Sequence, residues 1–149
     1  MREEINFYLR KEEYGWLSNF WRSCQSDGLV DYSTNEHYYQ AEKARDGDVR
    51  IWIREAPNAW LAMNAGRSLR KGKELRDDWN DIKVQVMLIG LRAKFMDEEL
   101  REKLLATGDA IIHEDSPSDM FWGKKGEDML GKLLMQVREE LRKDGGTEK

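Results

Sequence analysis

Apolar residues recur along most of this chain at helical rather than strand spacing. In residues 79–95, Val84, Met87, Leu88, Leu91 and Phe95 follow an i, i+3, i+4, i+7 progression. Val86 and Ile89 add a second apolar side, which predicts a long, central, buried helix. Over residues 128–143, Leu130, Leu133, Leu134, Val137 and Leu141 form one stripe and predict the last helix. Asp97 is placed to cap a helix running through Leu105, and Pro57 suits the first turn of another ending near Gly66. Ser33-Thr34-Asn35-Glu36 reads as a capping box with Ser33 at the cap, opening a helix over residues 35–46. The strand signal is thinner. Residues 5–9 suit a short edge strand, and residues 28–32 and 111–112 a strand or turn, while residues 14–21 read as a loop held down by its own rings. The pattern predicts an α+β, helix-dominated fold with at least five helices and a few short strands.

Length and composition narrow the class. A chain of 149 residues suits one compact domain, expected over residues 1–143, with 144–149 as a flexible C-terminal tail. The single cysteine, Cys24, excludes an intrachain disulfide framework and suits a reducing compartment. No apolar run approaches the roughly 18 residues of a membrane span, and the N-terminus shows no apolar leader, so the expectation is a cytoplasmic protein with no membrane partner. A net charge of −4 argues against a polycation that coats nucleic acid. Two histidines and one cysteine offer no zinc spacing, so neither a metal nor a cofactor is expected.

Three segments carry candidate chemistry. At 100° per residue, Glu36, Gln40 and Lys43 share a stripe with Tyr39 beside it. On a helix, Glu36 and Lys43 stand about 10.5 Å apart in rise, too far for an ion pair and suited to a small ligand held between carboxylate and amine. The plainer reading is a solvated polar face. Residues 114–126 bring an acidic cluster through Pro117 to Phe121-Trp122 and a Gly-Lys-Lys-Gly loop, either an anion site or an ordinary turn ahead of a helix. Residues 67–76 hold five basic side chains, suited to steering a phosphorylated substrate or to a solvated surface.

In order along the chain, Leu17-Ser18-Asn19-Phe20, Glu36-His37-Tyr38-Tyr39-Gln40-Ala41-Glu42-Lys43-Ala44, Trp79, Lys83, Val86-Met87, Lys94-Phe95, residues 104–109, Asp119-Met120-Phe121-Trp122-Gly123 and residues 130–138 resemble the YbiA-like (NADAR) family. The resemblance spans nearly the whole chain. It implies a YbiA-like domain and an N-glycosidase that hydrolyses the C–N bond between ribose and a base or amine. The implied substrates are ADP-ribosylated guanine in nucleic acid, or phosphorylated ribosylaminopyrimidine intermediates of riboflavin synthesis. The chain departs from the family pattern at Asp128, where asparagine is usual, and in a short stretch after Trp122.

Such a reaction builds positive charge on the ribose, which a carboxylate stabilises, and needs an acid for the leaving nitrogen. The resemblance implies Glu36 and Asp119 as the carboxylates, with their two roles open. It implies Lys43 either as a charged holder of phosphate or hydroxyl, or as a desolvated amine that attacks the anomeric carbon. Trp79 and Trp122 are the implied base-stacking rings. Asn19, Phe20, Gln40 and Gly123 complete the implied substrate-binding set. The alternative is a non-catalytic module that binds ADP-ribose or a related nucleotide.

Overall fold

The computed structural model describes residues 2–147. The fold is α+β and dominated by helices, as expected, and it divides into two units.

The first unit comprises Met1–Ser18 and Phe95–Lys149. Its strands β1 (Glu4–Phe7) and β4 (Ile111–Glu114) pair in parallel, Ile5 opposite Ile112. Alternation buries Ile5 and Phe7 on one face of β1, as the period of two requires. Helix α5 (Glu98–Ala106) starts where expected, with Asp97 accepting from the Leu100 amide at 3.0 Å. Helix α6 (Met129–Thr147) buries Leu130, Leu133, Leu134 and Val137, the stripe read from the sequence. It lies tight against β4 at Gly131, where a Cβ would fall 2.1 Å from the Ile112 carbonyl oxygen. Residues 144–147, expected as tail, instead continue α6, since each further helical residue adds its own hydrogen bond once the helix exists. Glu148 and Lys149 lie outside the described residues. The ring-rich loop is a short 3-10 turn (Gly15–Leu17), with Trp16 edge-on to Phe95.

The second unit is Asn19–Lys94. It opens with the antiparallel pair β2 (Arg22–Ser26) and β3 (Asp31–Thr34). The sequence pattern misses β2 and misplaces β3, because residues 27–30 form a turn in which Asp27 Oδ1 accepts from Leu29 and Val30. Four helices follow: α1 (Asn35–Ala41), α2 (Gly47–Arg54), α3 (Ala59–Arg67) and α4 (Trp79–Lys94). Helix α2 is not foreseen, because it buries only Ile53 and has no capping side chain. Pro57 precedes the true cap of α3, Asn58, whose side chain accepts from Leu61 at 2.9 Å. In α4, Val86, Met87, Leu88 and Leu91 are buried as expected, whereas Ile89 is exposed, so the helix is covered on one side only.

Two features of α1 differ from expectation. Thr34, not Ser33, is the cap, its Oγ1 accepting from the His37 amide at 3.1 Å. Strand alternation decides this, because Tyr32 and Thr34 point inward and Ser33 outward. The helix also ends at Ala41 rather than Asp46. Residues 43–45 leave it to pair with 74–76, the Lys43 carbonyl accepting from Arg76 at 2.9 Å and Arg45 donating to Glu74 at 2.8 Å.

Among the described residues no helix is long and apolar enough to cross a membrane. The cap assignment yields a direct test by urea denaturation: Thr34→Ala is expected to cost about 1–2 kcal/mol, and Ser33→Ala less than about 0.5 kcal/mol.

Candidate active site

Helix α1 is buried along its whole length, polar residues included: Asn35, Glu36, His37 and Gln40 are all at most 7 % exposed. Buried polar groups require partners, and those partners define the geometry. Asn35 donates to Asn19 Oδ1 at 2.9 Å and accepts from Gln25 Nε2 at 3.0 Å, while Gln25 also donates to the Gly90 carbonyl of α4 at 2.9 Å. His37 Nε2 meets the Ala56 carbonyl, an acceptor only, so that nitrogen carries the proton; Nδ1 faces Thr34 Oγ1 at 2.8 Å. His37 therefore serves packing.

Glu36 and Gln40 lie one turn apart, and Gln40 Nε2 donates to Glu36 Oε2 at 2.7 Å. The Glu36 amide donates to the Asn19 carbonyl at 3.0 Å. Lys43 is not on the helix, so the rise of an ideal helix does not separate it from Glu36. It sits in the following turn, its amide bonded to the Gln40 carbonyl. Its Nζ lies 5.6 Å from the Tyr39 ring centroid and 5.8 Å from that of Trp79, and these rings meet edge to face at 5.0 Å. Burial pushes the Lys43 amine down to about 8 from 10.5. The Glu36 carboxylate acts in the opposite sense, and Arg67 of α3 and Lys83 of α4 add to the lowering. This unit thus gathers a carboxylate, a depressed amine and two aromatic rings.

The other expected residues have specific places. Asn19 spends its side chain on Asn35 and on Met87 Sδ. Phe20 is half-buried in the same unit. Trp79 is only 7 % exposed and packs on Tyr39 and Lys43, the arrangement of a wall more than of an open stacking platform. A concavity of about 430 Å³ on this unit is lined by Ala44, Arg45, Arg50, Arg76, Asp77 and Asp78, and thus by none of the expected site residues. Its arginines are already paired, Arg45 with Asp77, Arg76 with Asp78 and Arg50 with Glu42.

Asp119, Trp122 and Gly123 belong to the first unit. There Asp119 Oδ1 accepts from the amides of Phe121 and Trp122 at 3.0 and 2.9 Å, and Trp122 stands edge-on to Phe121 at 4.8 Å. Gly123 is buried. The loop lysines are committed locally, Lys124 to Asn6 Oδ1 at 2.6 Å and Lys125 to the Pro117 carbonyl. Asp128 pairs with His113, which also meets Glu4 at 2.8 Å. Burial alone would lower the His113 ring, but its bonds to Asp128 and Glu4 raise it.

Sequence reasoning did not single out Glu114 as a shifted titratable group. Burial, with Asp119, Asp128 and Asp115 nearby, pushes its carboxyl up to about 7, against the Ser116 amide that favours the anion. Its place in the acidic run was the available signal. Arg67 and Lys83 were likewise visible, the first in the basic segment and the second one turn beyond Trp79.

Because the folded pKa of Lys43 lies below the unfolded value, the unfolded chain binds the extra proton between about 8 and 10.5. The stability this group contributes is complete above that window and is lost as pH falls through about 8. NMR titration of the lysine amines should show Lys43 near pH 8, and Glu36→Gln should move it lower, since the carboxylate favours the charged amine.

The profile of the NADAR domain family matches residues 6–142. The chain is 42 % identical over 144 residues to the N-glycosidase YbiA of Escherichia coli, covering 92 % of this chain and 88 % of that one. It is 40 % identical over 148 residues to an N-glycosidase of Nostoc punctiforme, covering 93 % and 92 %. It is 38 % identical over 146 residues to a riboflavin biosynthesis protein of Vibrio vulnificus, covering 95 % of this chain but 39 % of that protein. The NMR structure of E. coli YbiA superposes with a TM-score of 0.87 at 39 % identity, covering 97 % of this chain and 89 % of that one. A buried carboxylate and a half-buried amine on the Glu-His-Tyr-Tyr-Gln helix and its turn thus sit within a sequence and a fold that place the chain in the NADAR domain family.

Proposed function

We propose that the Glu36–Lys43 cluster is the reacting centre of an N-glycosidase that cleaves the bond between a ribose anomeric carbon and a base or amine. Membership of the NADAR family and the N-glycosidase relatives support the reaction class. The observation that carries the site is the Lys43 amine, depressed to about 8 among Glu36, Tyr39 and Trp79. At pH 7 about a tenth of such amines are neutral, against about one in three thousand for an ordinary lysine.

A neutral Lys43 attacks the anomeric carbon. The new C–N bond forms as the glycosidic bond breaks, and its electron pair leaves with the base, which takes up a proton. Ring opening, with a proton moving to the ring oxygen, gives a Schiff base, and water hydrolyses it to free sugar and free amine. One of the two carboxylates, Glu36 or Asp119, stabilises the positive charge that develops on the ribose.

The substrate is a ribosylated small molecule, either a phosphorylated ribosylaminopyrimidine or an ADP-ribosyl compound, with ADP-ribosylated guanine in nucleic acid as the macromolecular form. The riboflavin biosynthesis relative supports the first of these. Asp119 stays in the proposal as the second carboxylate, with one oxygen already serving two backbone amides. Phe20, Asn19, Trp79, Trp122 and Gly123 stay as substrate-binding candidates.

Release of free base from ADP-ribosylated guanine and from a ribosylaminopyrimidine phosphate is the test. Glu36→Gln and Lys43→Ala are expected to lower turnover by roughly 100-fold or more, with a smaller loss for Asp119→Asn. Wild-type turnover in all three variants removes the site assignment. Binding without release of base from either substrate favours a nucleotide-binding module instead. Borohydride added during turnover should leave a covalent sugar adduct on Lys43; turnover with no adduct assigns the amine to binding alone.

A further inference from the structure

Gln40 is 3 % exposed, and its two amide atoms are treated unequally. Nε2 donates to Glu36 Oε2 at 2.7 Å, whereas Oε1 is buried with no hydrogen-bond partner. That oxygen faces Gly66 of α3, where a Cβ would fall 2.0 Å from Oε1, 2.8 Å from Cδ and 2.9 Å from Cβ of Gln40. No room remains there for a ligand atom. A buried acceptor without a donor is costly, on the order of 1–3 kcal/mol. The reversed amide would turn its oxygen towards the carboxyl group, an arrangement that suits only a protonated Glu36, whose O–H would donate to it. The observed arrangement is the one that suits an ionised Glu36.

We propose that Gln40 is a positioning residue, held by the bare backbone of Gly66, that keeps Glu36 ionised and fixes its rotamer instead of reading the substrate. This rests on the proposed N-glycosidase site and settles a role left open there: Glu36 is the carboxylate that steadies the ribosyl cation, not the acid that protonates the leaving group. The charged groups around it are consistent with an anion. Lys43 follows on the turn after α1, and Arg67 on α3 and Lys83 on α4 act on Lys43 in turn. His37 of α1 is engaged elsewhere, with Thr34 and Ala56.

Gly66 makes the idea separable from simple loss of a contact. Gly66→Ala alters neither Gln40 nor Glu36, yet it must displace the Gln40 side chain. It should therefore reproduce the behaviour of Gln40→Leu. In ligand-free protein labelled with 13C-glutamate, the Glu36 carboxyl is expected to titrate higher by roughly one pH unit in both variants, because an N–H bound to a carboxylate favours the charged form. In turnover assays both variants should lower kcat by roughly 10- to 100-fold, the scale of a mispositioned reacting group, with KM within about twofold of wild type, and the acid limb of the kcat profile should move upward with the titration. Gln40→Met serves if Gln40→Leu does not fold. An unchanged Glu36 titration in folded variants overturns the proposal, as does a raised KM with kcat and the pH profile unchanged, which would make Gln40 a substrate reader. Absence of base release by the wild-type protein would count against the glycosidase reading, while the titration of Glu36 would still decide the role of Gln40.

Discussion

A seven-residue helix buried on every side is the constraint around which the second unit is built. Four of its side chains are polar. In water each would be satisfied; in the interior each needs a partner or exacts a penalty of on the order of 1–3 kcal/mol. The surrounding elements supply those partners. Asn35 draws in β2 through Gln25, and Gln25 in turn reaches the α4 backbone at Gly90. His37 is held by its own cap and by the residue that follows α2 and its C-terminal turn, Ala56. The same requirement accounts for a strand as poorly apolar as Arg22–Ser26, whose buried glutamine matters more than its hydrophobic content.

Chemistry arises from what that satisfaction leaves over. Glu36 and Lys43 are short of solvent. Lys43 rests on two aromatic faces, which attract a cation less strongly than water solvates it. Its proton is therefore loosely held, as a lysine needs if it is to act as a nucleophile near neutral pH. The short length of α1 contributes: by ending at Ala41 it puts the amine in a turn, where pairing of residues 43–45 with 74–76 fixes the backbone independently of the helix.

The first unit handles its polar groups differently. Residues 114–128 fold on themselves through side-chain bonds to backbone amides, with Ser116 Oγ accepting from Ser118 and Asp119, and Asp119 accepting from Phe121 and Trp122. Asp128, in a left-handed conformation with φ of 53°, closes the segment onto His113. Burial, reinforced by the neighbouring carboxylates, raises the affinity of Glu114 for a proton, which a linear reading of acidic residues does not quantify.

The amino-acid sequence by itself determined the long helices and their buried faces, because a stripe such as Leu130, Leu133, Leu134 and Val137 repeats with the period of the backbone that carries it. It also determined the family, since ordered motifs such as Glu-His-Tyr-Tyr-Gln are local strings. Boundaries set by distant partners were not legible: the stop of α1 depends on residues 74–76, the cap at Thr34 on which face of β3 is covered, and α2 on a single buried isoleucine. Only the tertiary structure decided that Asn19 bonds to Asn35, that His37 is spent on packing, that Gln40 faces Glu36 across from Gly66, and that Lys43 is poorly solvated. Local sequence encodes the period of a chain, whereas burial, proton affinity and hydrogen-bond choice depend on atoms that folding brings from elsewhere.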